Sequence, residues 1–192
     1  MATDACGIFL GCVVVFRKFP TEGPPVMILG MSTATFVQVH VVISLIAIVA
    51  GLIVMFGMLG SKSQPGLTAI FLLFTILTNA TGFPIPPLLT EKLLPSHIIG
   101  ILSLVLLAIA CLALYVMKLA GPWRWIYVLT ALISLYLNTF VLVIQSFLKI
   151  PALTALAPGN PPAGPVFAVV QGVVLVFFAL MIIGAFRRFR PA

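Results

Sequence analysis

Few side chains in this sequence could do chemistry. The two histidines, His40 and His97, each stand near the start of an apolar stretch. On the layout derived below they lie at similar depth, on alternate helices of a bundle. Two neutral imidazoles facing one another are the ligand set of a bis-histidine haem iron, and bundle interiors house such sites. Gly100, one turn after His97, makes room for a flat macrocycle. His40 and His97 are therefore the candidate cofactor-binding pair, with haem b as the cofactor. Asn79, Asn138 and Gln145 are the polar residues that would support them. The plainer reading weighs more: both rings sit at headgroup level and bond to water, loop carbonyls or the asparagines. A proton- or ligand-handling role comes third. Two histidines are too few for a closed zinc site.

Other chemistry is poorly supplied. The chain has only three acidic residues. It carries no paired carboxylates, no HExxH, no GxSxG and no phosphate-cradling glycine loop. Glu91 is best explained as the partner of Lys92. Of the three cysteines, Cys6, Cys12 and Cys111, none forms a CxxC pair. Cys111 falls inside an apolar segment and reads as a small packing residue. An enzyme reading would need a cofactor or another subunit.

The elements that must position these residues follow from composition. The chain is 62% hydrophobic and only 7% charged over 192 residues, against about 25% charged for a soluble domain. Too few charges remain to cover a globule in water, so lipid is the solvent for most of the chain. Five apolar stretches, near 36–59, 66–83, 96–119, 123–147 and 165–186, each approach the roughly twenty residues that cross a bilayer as a helix. Pro84, Pro86 and Pro87 end the second. The fold class is all-α, a polytopic membrane bundle of about five transmembrane helices. No charged residue lies well inside a predicted span, whereas ion-coupled transporters keep an embedded ionisable group. A small-solute transporter is therefore a third-ranked function.

The net charge of +7 comes from ten Lys and Arg. No basic run has interleaved aromatics, so nucleic acid is not the partner. Basic residues flank membrane helices and orient them. Lys62, Lys118, Arg124, Arg187, Arg188 and Arg190 fall on one side, and Lys92 and Lys149 on the other. The first group, and the C-terminus with it, is expected in the cytoplasm, with Trp123, Trp125 and Tyr127 as an aromatic anchor there.

Residues 1–30 form an N-terminal extension. Its apolar stretch from Cys6 to Phe16 is too short to span, and Asp4 precedes it where a signal peptide wants a basic start. Met31 reads as an alternative start, leading straight into the first helix. Lys149 to Pro165 reads as an irregular Pro- and Gly-rich loop.

Segments one and two match segments three and four at a shift of about 57 residues: His40 with His97, Pro65 with Pro122 and, nearly, Asn79 with Asn138. That pattern is what a duplicated helical hairpin leaves. Each helix also carries an inward stripe: His40, Ser44, Ala47 and Gly51; Thr68, Thr75, Thr78, Asn79 and Gly82; His97, Gly100, Ala108 and Cys111; Thr130, Ser134, Asn138 and Gln145. Lipid offers polar groups no partner, so these faces turn to one another. Gln171, Gly172 and Gly184 place segment five beside that core.

The stretch PSHIIGILSLVLLAIACLALY, followed by AGPWRWIYVLTALISLYLNTFVLVIQSFLKIPALTALAP, resembles an uncharacterised family of small bacterial inner-membrane proteins. The likeness runs from about Met31 onward. It implies a bacterial inner-membrane location and carries over no activity and no site residue. The b561-type cytochromes are similar only in pairing histidines on alternate membrane helices. The function expected on all these grounds is that of an accessory or interaction membrane protein, with a partner membrane protein or a second copy. The alternative is a haem- or ligand-binding membrane protein using His40 and His97.

Overall fold

The chain enters its first helix through a two-residue hairpin. Strand β1 (Met27–Ile28) pairs antiparallel with β2 (Met31–Ser32). Leu29 and Gly30 turn the chain at positive φ, 50° and 77°, as tight hairpins require. The structure is a computed structural model that describes residues 27–84 and 95–190. The apolar stretch Cys6–Phe16, Glu91 and Lys92 lie outside the described residues.

Helix α1 spans Thr33–Leu59, starting three residues before the apolar stretch because Ser32 caps it. The Ser32 Oγ accepts from the Thr35 amide at 3.2 Å, satisfying one of the orphan donors of the first turn. Helix α2, Pro65–Gly82, has proline at its first position, where the missing N–H costs nothing. Helix α3 spans Pro95–Cys111 and continues as a π-helical segment, Leu112–Val116. It stops short of the expected Leu119 because Lys118 and Leu119 take left-handed φ values of 47° and 58°. Helix α4 spans Trp123–Lys149 and α6 spans Pro165–Arg188. Between them the expected irregular loop contains a short helix, α5, Pro151–Leu156. Pro151 starts it, and Thr154 Oγ1 ties it to the Phe147 carbonyl at 2.7 Å.

Five of these helices, α1, α2, α3 with its π segment, α4 and α6, are long and apolar enough to cross a bilayer. The chain is an all-α membrane bundle. Helices α1 and α2 form one hairpin, and α3 and α4 form the other. The four close a ring in chain order, so α1 and α3 stand at opposite corners, and α6 packs on α4 and α1.

The core is apolar and tight. Met55, Phe71, Leu107, Leu132 and Leu135 are fully buried. Gly51 lets α1 approach α2 and α4: a Cβ there would stand 2.6 Å from Leu135 Cδ1 and 2.8 Å from the Phe71 ring. The outside is equally apolar, with Val42, Val49 and Phe56 on α1, Ile98 and Val105 on α3, and Val169, Val173 and Leu180 on α6 exposed. Water would penalise such a surface, and hydrocarbon does not.

The two ends differ in chemistry. At one end the α1–α2 turn, the Lys118–Pro122 turn and the end of α6 converge. There the Arg190 amide donates to Ser61 Oγ at 2.9 Å, Trp125 stacks on Phe186 at 4.1 Å, and the Arg124 guanidinium lies 3.9 Å over Trp125. This basic end carries Lys62, Lys118, Arg124, Arg187, Arg188 and Arg190 together. The opposite end carries both histidines.

Candidate functional site

The inward stripes set up the histidine end. On α2, Thr75 and Thr78 are buried and return their hydroxyl protons to the Phe71 and Phe74 carbonyls, at 2.6 and 2.8 Å. This back-bonding lets a hydroxyl sit in an apolar interior at little cost. Asn79, one turn further, donates its Nδ2 to the Thr75 carbonyl at 2.8 Å and to Ser103 Oγ on α3 at 3.1 Å. That amide links the two hairpins.

His40 is half-buried on α1, and its Nδ1 lies 2.8 Å from Thr81 Oγ1. The Thr81 hydroxyl also lies 2.7 Å from the Leu77 carbonyl. With its proton on that carbonyl it accepts from an Nδ1–H imidazole; with its proton turned to Nδ1 it holds the other tautomer. Gly82 is part of the same contact, with His40 Cε1 3.6 Å from where its Cβ would be.

His97 is buried at the start of α3, 5% exposed. Its ring stacks on Phe83 with centroids 5.8 Å apart and planes 10° from parallel. The two histidines thus meet the same short piece of chain, residues 81–83, at one depth. They reach it from opposite corners of the ring of helices, His40 through Thr81 and Gly82, His97 through Phe83. The open side of Gly100, which on sequence grounds would admit a macrocycle, faces the Phe83 ring: Cζ stands 3.3 Å from a Cβ built there, and Asn79 Oδ1 3.8 Å.

The supporting residues divide. Asn79 is at the centre of the cluster. Asn138 is half-buried on α4, and its Nδ2 is enclosed with no hydrogen-bond partner among the described residues. Gln145 is exposed and joins neither histidine. Three members escaped the sequence reading. Ser103 continues the three-residue spacing from His97 and Gly100, and is 2% exposed; the stripe was drawn instead through Ala108, which faces outward. Thr81 lies off the inward spacing of α2. Phe83 continues that spacing, four residues after Asn79, with helical backbone at the end of the helix, φ −66° and ψ −39°.

Among the described residues no three His, Cys, Asp or Glu side chains gather as a metal site. Cys111 is a half-buried free thiol. What the cluster can do is bind helices together through the His40–Thr81 and Asn79–Ser103 hydrogen bonds. Comparison of the chain with protein-family models, curated proteins and solved structures finds no match.

Proposed function

We propose that this chain is an accessory subunit of the bacterial inner membrane, with its basic end in the cytoplasm, and that it docks a transmembrane helix of a partner on the outer face of α6. The observation that carries the reading is the make-up of that helix. It is the most apolar span, and only 6% of its eighteen-residue window is buried in the chain's own bundle. Gln171, Phe178 and Ala185 face inward; the Gln171 Nε2 donates to the Phe140 carbonyl at 3.2 Å. Beside that face, Ala168, Gly172 and Ala179 fall on one line at spacings of four and seven. Ala168 and Ala179 are exposed, and a Cβ at Gly172 would meet nothing within 4 Å. Small residues on a lipid-facing helix allow the close backbone approach that drives helix association in membranes. Gly184 on the same helix already serves this purpose internally, against Leu59.

The test is a photo-crosslinking residue at Val173, with and without Gly172→Ile. The expected result is one discrete protein adduct that falls at least about ten-fold in the variant, while the melting midpoint of the bundle is unchanged. Adducts to lipid alone, from Val173 and from Val105 on α3 alike, would sink the proposal.

A second reading keeps His40 as a ligand-binding group. The observation in its favour is the Nδ1–Thr81 bond, since a metal-ligating histidine is held in this way by its other nitrogen. The closing measurement of the Discussion addresses it.

A further inference from the structure

A cavity of about 140 Å³ opens at the basic end, away from the histidines. Its polar wall is the α1–α2 turn, with Lys62, Ser63 and Gln64. Its apolar wall includes Val54 on α1, Leu114 and Phe189. Two features of this place point to a site for an anion. Six basic residues surround this end, and no carboxylate is present among the described residues to balance them. The wall on the α3 side is the π-helical segment Leu112–Val116, a deviation that costs regular hydrogen bonding and often marks a functional site.

The mixed lining decides which anion. A free phosphate has no use for a wall of Val54, Leu114 and Phe189. A phospholipid at this depth presents a phosphate to the polar wall and its first methylenes to the apolar one. Basic pockets between membrane helices on the cytoplasmic side take anionic headgroups in this way. Resting on the cytoplasmic placement of this end, we propose that the cavity is a binding site for an anionic phospholipid, its phosphate met by Lys62 and its first methylenes by Leu114 and Phe189.

The experiment is native mass spectrometry of the detergent-solubilised full chain, titrated with phosphatidylglycerol and with phosphatidylcholine of the same acyl chains. Phosphatidylglycerol is expected to bind about ten-fold more tightly than phosphatidylcholine. Lys62→Gln is expected to weaken phosphatidylglycerol about five-fold and leave phosphatidylcholine unchanged. Ser63→Trp, on the exposed rim, should exclude the lipid by filling the space. Lys118→Gln, at the same end but outside the lining, should change binding less than about two-fold. Equal binding of the two lipids would overturn the proposal. So would equal effects of Lys62→Gln and Lys118→Gln, which mean a charged surface and no site. Displacement of phosphatidylglycerol by millimolar inorganic phosphate would assign the cavity to a free anion instead. Should Ser63→Trp fail to fold, the comparison of Lys62→Gln with Lys118→Gln decides the matter alone.

Discussion

Replacing Gly51 with leucine is expected to lower the melting midpoint of the detergent-solubilised bundle by roughly 6–12 °C, at a cost of about 3 kcal/mol. A single Cβ at this position would already stand 2.6 Å from Leu135 Cδ1 and 2.8 and 2.9 Å from two Phe71 ring carbons. Both neighbours are fully buried in the core, so neither can swing into open space. Leucine adds three carbons beyond the Cβ, and α1 must move away from α2 and α4 together. Gly184→Ala is the matched comparison. Its new methyl would meet Leu59 Cδ2 at 2.7 Å, the far end of a half-buried side chain that can rotate away. That variant should lose less than about 1 kcal/mol. Thermal unfolding followed by circular dichroism reads both. A Gly51→Leu midpoint within about 2 °C of the parent would mean the three helices do not meet at Gly51.

The second large effect is all-or-none. A reporter that fluoresces only in the cytoplasm, fused behind Ala192, is expected to be bright. The same reporter inserted at Gly159, between α5 and α6, is expected to be dark. The argument is the separation of charge along the bundle axis. Lys62, Lys118, Arg124 and the arginines at 187, 188 and 190 gather at one end, tied there by the Arg190–Ser61 hydrogen bond and the Trp125–Phe186 stack. Lys149 lies at the other. Basic residues within short loops are retained on the cytoplasmic side during insertion. A dark reporter at Ala192 with a bright one at Gly159 would invert the orientation. It would also remove the cytoplasmic leaflet from the lipid proposal.

The spans were legible because hydropathy is a property of windows, and lipid demands some twenty apolar residues in a row. Their ends were legible where one residue decides them, as Pro165 does; Pro65, read as part of the turn, is in fact the first residue of α2. The end of α3 was not. The π segment and the left-handed Lys118 and Leu119 are fixed by how the turn packs, and no residue there announces them. Helix α5 hid in a stretch read as irregular, although Pro151 at its first position was a usable signal. Inward faces were read well near the helix middles. Ala47, Gly51, Thr75, Thr130 and Ser134 are all buried. The reading weakened toward the ends: Gln145 shares the spacing of Asn138 yet is exposed. The depth of the two histidines was legible from their places at the ends of alternate spans. What stands between them was not, because the stripe on α2 was drawn only as far as Gly82, one residue short of Phe83.

At the histidine end, polar and aromatic side chains join the helices. Thr81 holds His40, Phe83 covers His97 and Gly100, and Asn79 bridges α2 to Ser103 on α3. The most direct test is the visible absorption spectrum of the gently purified protein, expressed with ample haem, before and after dithionite. The account predicts no Soret band in either state. A Soret band that sharpens on reduction and is lost in His40→Ala or His97→Ala would contradict it, and would make the pair at residues 81–83 a haem site.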